Sequence, residues 1–330
     1  MRTFVTGATG FIGSNVVRAL LERGDKVRAL VRPNADFRNL DGLDVEWMHG
    51  DVLDPDSIER GVAGCEVVYH VAALYSFWVR PRRTIYDVNV EGTRNVLQAA
   101  LQAKVDRVVY TSSVAALGLP EHGTSADETT PADIRAIIGD YKKSKYLAEQ
   151  VALEYAEELP VVIVNPSFPV GRGDIKPTPT GRTILDFLNR RMPAYVETGM
   201  NVVDVEDVAE GHLLAAEKGR TGERYILGGE NLTMKQMLDL LSRITGLPAP
   251  RVRLPYYPIL VLSYLNTAYC SLFPRCDPRM TPATIRMSRH YMFFDPAKAV
   301  HELGLPQTPA KEALRKAVDW FTSQGYVKKR

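Results

Sequence analysis

Cysteine is scarce in this chain, and what there is lies scattered. Cys65, Cys270 and Cys276 are widely spaced and form no CxxC pair, so neither a disulfide framework nor a zinc site is expected. The six histidines show no HExxH or comparable spacing, and no metal centre is expected either. Net charge is nearly absent: at +2 there is no basic surplus of the kind that binds nucleic acid. Internal repeats and low-complexity linkers are missing. Long apolar runs are missing too. The one stretch to weigh, Tyr256 to Phe273, is rich in Leu, Ile, Val and Tyr but carries Asn266 and Thr267 in its middle. It reads as a buried or interfacial helix rather than a membrane span, with peripheral membrane contact as the alternative. The opening residues, Met1-Arg-Thr-Phe-Val-Thr-Gly, do not read as an apolar leader. Taken with the sparse thiols, this gives an expectation of a cytoplasmic protein.

What is present is ordinary for a soluble globular chain: 45% hydrophobic and 24% charged residues over 330 positions, enough for one large domain or two moderate ones. Strand-like runs occur at Thr3–Thr6, Lys26–Arg32, Val45–His49, Glu66–Val71, Arg107–Ser112 and Val161–Asn165. Helical patterns fall between them, at Ile12–Arg23, Ser57–Gly61, Val88–Ala103 and Tyr141–Glu157. This alternation predicts an α/β fold with a doubly wound parallel sheet covered on both faces. After Pro166 the pattern loosens, and proline-rich stretches appear at Lys176–Arg182 and Leu247–Pro258. A dinucleotide-binding domain is therefore expected over residues 1–168, with returning segments near 201–227, where Tyr225–Leu227 reads as one more strand. Residues 169–200 and 228–330 would form a smaller, mostly helical substrate lobe. The last helix, Lys311–Gln324, puts Ala313, Leu314, Ala317, Val318 and Phe321 on one face.

Gly7-Ala-Thr-Gly10-Phe-Ile-Gly13 lies between the first strand and the first helix, the context a dinucleotide-binding turn requires. Gly7 permits the tight turn, Gly10 lets backbone approach a pyrophosphate, and Gly13 lets the helix pack close. Thr9, Phe11 and Ile12 belong to the same turn, and the helix start supplies N–H groups for phosphate. The second strand ends in Val31-Arg32, where NAD enzymes usually carry a carboxylate for the ribose 2′-hydroxyl. A guanidinium there pairs with a 2′-phosphate, so NADP(H) is expected over NAD(H), with Arg38 able to assist. Asp51 could cap the adenine amine, with Val52 against the ring, or could be a plain helix cap. Ala72 and Ala73 are small enough to let a cofactor lie against backbone.

Tyr141-Lys-Lys-Ser-Lys145 begins a helix, and the i, i+4 spacing puts Tyr141 and Lys145 on one face. A free phenol ionises near pH 10, and a nearby ammonium together with an oxidised nicotinamide would lower that value. Ser113, at the end of a strand, could hold a carbonyl oxygen while Tyr141 exchanges its proton. Tyr75, Phe77 and Trp78 follow the fourth strand on the ligand-binding side; they form a substrate wall or pack between lobes. Lys176–Arg182 resembles a lid; Phe168 is a candidate substrate contact, and Arg182 is either a solvated arginine or a partner for an anionic substrate. His212 is read as structural.

The set TGATGFIG, GDV, YHVAA, NVEGT, YTSSV and YKKSK resembles the extended short-chain dehydrogenase/reductases, the NAD-dependent epimerase/dehydratase family, over nearly the whole chain and most densely over residues 1–170. Within it the chain is most similar to the dihydroflavonol-4-reductase-like branch and to the hopanoid-associated sugar epimerase group. NPSFPVG, KPTPTGR, VDVEDVAEGH and GERYILGGEN especially resemble the second. The resemblance implies that Ser113, Tyr141 and Lys145 are catalytic and that Gly7, Gly10, Gly13, Arg32, Asp51, Ala72, Pro166 and Ser167 line the cofactor. It matches Asn89 to the family's Asn before the Val-x-Gly-Thr helix, a position a capping role would equally explain. It makes homodimerisation, common in the family through helices such as Val88–Ala103 and Tyr141–Glu157, an expectation. Sugar 4-epimerases of the family usually carry the acidic NAD residue, a Tyr-Gly and an Asn where this chain has Val31, Leu117-Gly118 and Phe168. Dehydratases need an Asp-Glu pair where it has Val114 and Ala115. The leading expectation is reduction of a ketone or aldehyde by NADPH. A sugar epimerase using the same residues and a non-catalytic NADP(H) sensor are the alternatives.

Overall fold

Short β-branched runs and amphipathic segments alternate from the first residues, and the backbone follows them. In the computed structural model, which describes residues 1–119, 124–273, 276, 278 and 280–328, the first six strands are β1 (Arg2–Thr6), β2 (Lys26–Val31), β3 (Glu46–His49), β4 (Val67–His70), β5 (Arg107–Thr111) and β6 (Val161–Pro166). Between them lie α1 (Phe11–Glu22), α2 (Pro55–Val62), α3 (Arg83–Tyr86), α4 (Gly92–Ala103) and α5 (Asp140–Tyr155). The second part carries β7 (Phe168–Val170), α6 (Pro179–Leu188), β8 (Ala194–Tyr195), β9 (Gly199–Asp204), α7 (Val205–Lys218), β10 (Arg224–Leu227) and β11 (Glu230–Thr233). It continues through α8 (Met234–Thr245), β12 (Val252–Arg253), α9 (Tyr256–Leu272), α10 (Pro282–Met287), β13 (Tyr291–Met292) and α11 (Ala310–Ser323).

Seven strands pair in the order β10-β6-β5-β4-β1-β2-β3, every pair parallel. The chain winds outward from β1 to β3, then returns to β4 on the other side of β1 and winds outward again. The reversal lies between β1 and β4, where doubly wound sheets leave a crevice at the carboxyl ends of their strands. Both faces are covered, which is why the strands read as continuous apolar runs. Val16, Val17 and Leu20 of α1 share one core with Val208, Ala209 and Leu213 of α7; each fully buried aliphatic side chain contributes roughly 1.5–3 kcal/mol. The other face packs α2, α4 and α5 through Ile58, Val96, Leu97, Ala148 and Ala152.

The second part is mostly helical, as expected, with α6, α8, α9, α10 and α11 supplying most of its regular structure. A four-stranded sheet runs β11-β9-β13 with β7 also on β9, and α6, α8 and α11 cover it. The face expected of the last helix is the buried one in α11. Within the stretch expected to return, α7 and β10 do join the large sheet, whereas β9 stays with the small one. Two side-chain amides tie the parts together: Asn15 Nδ2 donates to Arg172 O at 3.1 Å and Asn39 Nδ2 to Gly173 O at 2.7 Å.

Four local features refine or depart from the expectations. The helix expected from Val88 starts at Arg83 and passes through a π turn, Asp87–Glu91, before α4. The lid-like Lys176–Arg182 runs into the first turn of α6, which Thr178 caps through Gly181 N–H. Cys270 and Cys276 are joined by a disulfide, their Cα atoms 4.9 Å apart; Cys65 is free and buried. The apolar stretch at Tyr256 is a helix, yet most of its large side chains face outward. No helix among the described residues is long and apolar enough to cross a membrane.

Candidate active site

The turn after β1 dictates its own composition. Gly7 has φ +71°, and a Cβ there would lie 2.6 Å from Ala72 N; a Cβ on Gly13 would lie 2.1 Å from Gly7 O. Both glycines are therefore imposed by backbone crowding, with the turn pressed between α1 and the end of β4. Thr6 Oγ1 clamps the same point, accepting from Ala72 N at 3.2 Å and meeting His70 Nδ1 at 2.7 Å. No side chain caps the start of α1 at Gly10, so its first N–H groups face the cavity with a partial positive charge.

That cavity, about 860 Å³, runs from the glycine turn into the second part of the chain. Along it lie Gly7, Thr9, Gly10, Phe11, Ile12, Gly13, Arg32, Asp51, Val52, Ala72, Ala73, Pro166 and Ser167, then Ser113, Tyr141, Lys145, Tyr75 and Phe168. Arg182 is the exception. It sits on the exposed side of α6 and does not line the cavity, whereas Thr180 and Thr183 do. Trp78 also lies off the wall, under the guanidinium of Arg80 at 4.6 Å.

At the end of β2, Arg32 is exposed and no carboxylate among the described residues pairs with it. Arg38 does not assist it. Its guanidinium grips Asp36 at 2.7 Å, and that contact holds the Asp36 carboxyl down at about 2. Asp51 Oδ1 accepts from Leu53 N at 3.0 Å, an Asx-type turn that leaves the residue facing the cavity. These residues fit a dinucleotide: a crowded glycine turn, unsatisfied helix N–H groups and an unpaired guanidinium lie along one wall.

Tyr141 occupies the first turn of α5. Burial pushes its phenol up to about 12, and the hydrogen bond with Ser113 opposes this only in part. Tyr75 packs on its ring at 4.6 Å and Phe77 at 6.1 Å. The expected help from Lys145 is not seen here. Its Nζ donates to Thr111 O at 2.8 Å and Tyr110 Oη at 3.1 Å, turned toward β5 rather than toward the phenol. Burial lowers the Lys145 ammonium to about 7, against the pull of Glu149. Ser113 accepts from Ala115 N at 3.1 Å, which fixes its hydroxyl at the strand end. Asn89 is no ordinary cap. It sits in the π turn, accepts from Leu74 N at 2.7 Å, and donates to Ser144 Oγ at 2.9 Å, binding the aromatic loop to α5. His212 is structural, held between Thr111 Oγ1 and Val208 O, with burial lowering it to about 4.

Sequence reasoning passed over several cavity residues. Lys142 is buried, lowered to about 8 by that burial, and its Nζ meets Met292 Sδ at 3.4 Å. Asp174 accepts from Thr178 N and Oγ1 at 2.9 Å, and burial raises it to about 6. Met200, Met234, Met237, Met287 and Met292 line the far end. One signal was available for Lys142, its place beside Tyr141. The methionines, drawn from four segments, gave none.

The NAD dependent epimerase/dehydratase family describes residues 3–228. This chain belongs to that family. It is 49% identical over 98% of its length, and 96% of the relative's, to a Synechocystis sp. protein with the provisional name dihydroflavonol 4-reductase. It is 41% identical to sterol demethylase protein B of Methylococcus capsulatus, covering 99% of this chain and 100% of that one. The crystal structure of gox2253 superposes with a TM-score of 0.89 at 48% identity, over 99% of each chain. As a member of the epimerase/dehydratase family, the protein is an NAD(P)-dependent enzyme acting on CH–OH or C=O groups, with a Rossmann-type fold.

Proposed function

We propose that this protein reduces an apolar ketone or aldehyde with NADPH. The observation that carries this reading is the placement of Ser113 and Tyr141 midway along one cavity, between a dinucleotide turn and a methionine-lined chamber. When bound, the cofactor supplies the hydride. Ser113 donates a hydrogen bond to the substrate oxygen, and Tyr141 gives that oxygen its proton as the C=O π pair moves onto it, leaving an alcohol. A phenol held at about 12 stays protonated at neutral pH, which suits a proton donor better than a base. Lys145 holds Tyr110 and Thr111 and so fixes the wall on which cofactor and Tyr141 meet. Residues 1–168, with α7 and β10, make up the cofactor part, and 169–200 and 228–330 the substrate part.

Arg32 supports NADPH over NADH. No carboxylate among the described residues pairs with it, and Asp36 on the same wall is held by Arg38. The methionines with Tyr75, Phe77 and Phe168 support a bulky apolar substrate, since flexible thioethers fit irregular surfaces; the name of the Methylococcus relative agrees with this. Tyr141→Phe tests the chemistry. Turnover of a ketone should fall about 10²–10⁴-fold with NADPH binding retained; unaltered turnover would end the assignment. Cofactor that cannot be washed from purified protein would instead favour a sugar epimerase.

A further inference from the structure

We propose that α9 docks this protein on an anionic lipid bilayer, lying in the interface rather than crossing it. Its 17 residues carry no charge, and only Ile259, Ser263 and Cys270 are buried. Tyr257, Val261, Leu265, Tyr269 and Leu272 recur at helical spacing and are 59–77% exposed. Among the described residues, eight of the thirteen exposed large hydrophobic ones lie between Tyr257 and Phe273. Such a concentration on one face marks an interaction surface rather than scattered exposure.

Charge selects the occupant. Residues 240–294 hold seven arginines, no lysine and one acid, Asp277, a local surplus far above the +2 of the whole chain. Arg251, Arg253, Arg286 and Arg289 are exposed, and none pairs with a carboxylate among the described residues. Two of them frame the helix: Arg286 donates to Tyr264 Oη, and the Arg289 guanidinium lies 5.1 Å over the Tyr256 ring. Apolar side chains flanked by tyrosines and arginines match acyl chains, headgroup boundary and anionic phosphates in turn. A second copy is disfavoured by the same charge, since a twofold contact through α9 would press this basic surface against itself. Helix α10 links the surface to the cavity: Arg286 reaches α9, while Thr284, Met287 and Ser288 line the chamber.

The full-length protein should float with vesicles of phosphatidylcholine containing about one-third phosphatidylglycerol at least about tenfold better than with phosphatidylcholine alone, and less so as salt rises. V261D/L265D and R251E/R253E should each cut that binding about tenfold, with circular dichroism, melting temperature and NADPH titration unchanged. Absence of binding to the anionic vesicles would overturn the proposal, as would binding that neither variant weakens. A wild-type dimer that V261D/L265D converts to a monomer would also overturn it, giving the face to a second copy. The NADPH titration reports on the catalytic reading alone, so the two can fail separately.

Discussion

The two ends of the cavity are built on different principles. At the cofactor end, the backbone dictates residue type: β1, its turn and α1 are contiguous, and Gly7 and Gly13 stand where any Cβ would strike Ala72 N or Gly7 O. At the substrate end, segments distant in sequence converge, and their contributions are side chains with many rotamers, methionine above all. A site closed by backbone tolerates almost no change and holds one class of ligand. A site closed by flexible side chains can be re-cut, and its shape follows from long-range packing.

The largest contrast should come from Gly13→Ala. A methyl group 2.1 Å from Gly7 O forces the turn open, so the NADPH dissociation constant should rise about 100-fold, with about 1–3 kcal/mol lost in stability; normal titration would show that the turn is not the constraint. Arg32→Ala should weaken NADPH about 10-fold or more and leave NADH unchanged, the size of a lost charge-assisted bond. Equal loss for both cofactors would remove Arg32 from selection.

Asp174 tests the substrate end through pH. Burial holds its carboxyl at about 6 against 3.8 ordinarily, so between these values the folded chain binds more protons than the unfolded one. Its stabilising contribution is full below about pH 4 and is lost as pH rises through 6. Asparagine does not titrate. The melting temperature of Asp174→Asn relative to wild type should therefore climb by about 2–4 °C or more from pH 4 to 6.5; a constant difference would mean the carboxyl is not held protonated. The smallest effect should follow Met287→Leu with Met292→Leu, a volume-conserving swap. Substrate KM should shift by less than about threefold with NADPH affinity unchanged, and a larger shift would show that these side chains are held as rigidly as the glycines.

Legibility followed the same division. Strands β1 to β6 and the glycine turn were readable because their signals are local: period, breaker and motif lie within a dozen residues. Ser113, Tyr141 and Lys145 were read from a strand-end serine, an i, i+4 spacing and the family resemblance, and all three line the cavity. Arg182 was open between a solvated side chain and a substrate contact because the sequence does not say which way α6 turns; it faces out, while Thr180 and Thr183, on either side of it, face in. Lys142 was missed because its burial comes from Met292, 150 positions away. The Cys270–Cys276 link depends on the approach of two Cα atoms to 4.9 Å, which spacing alone does not encode. The Tyr256 stretch was legible as a helix, but an apolar sequence does not distinguish a core from an uncovered face.

The π turn at Asp87–Glu91 bears on how this chamber could change over generations. A π turn is a helix carrying one residue too many, and each α-helical residue advances the face by about 100°. Upstream of it, Thr84 stands on the cavity wall, and Val88 lies within it. Loss of a single codon there would restore a plain helix and swing that wall away from Tyr141. Asn89 would be drawn off Leu74 and Ser144, while the glycine turn would stay untouched. A deletion in a helix would thus reshape the chamber through its backbone, a route distinct from re-cutting its side chains.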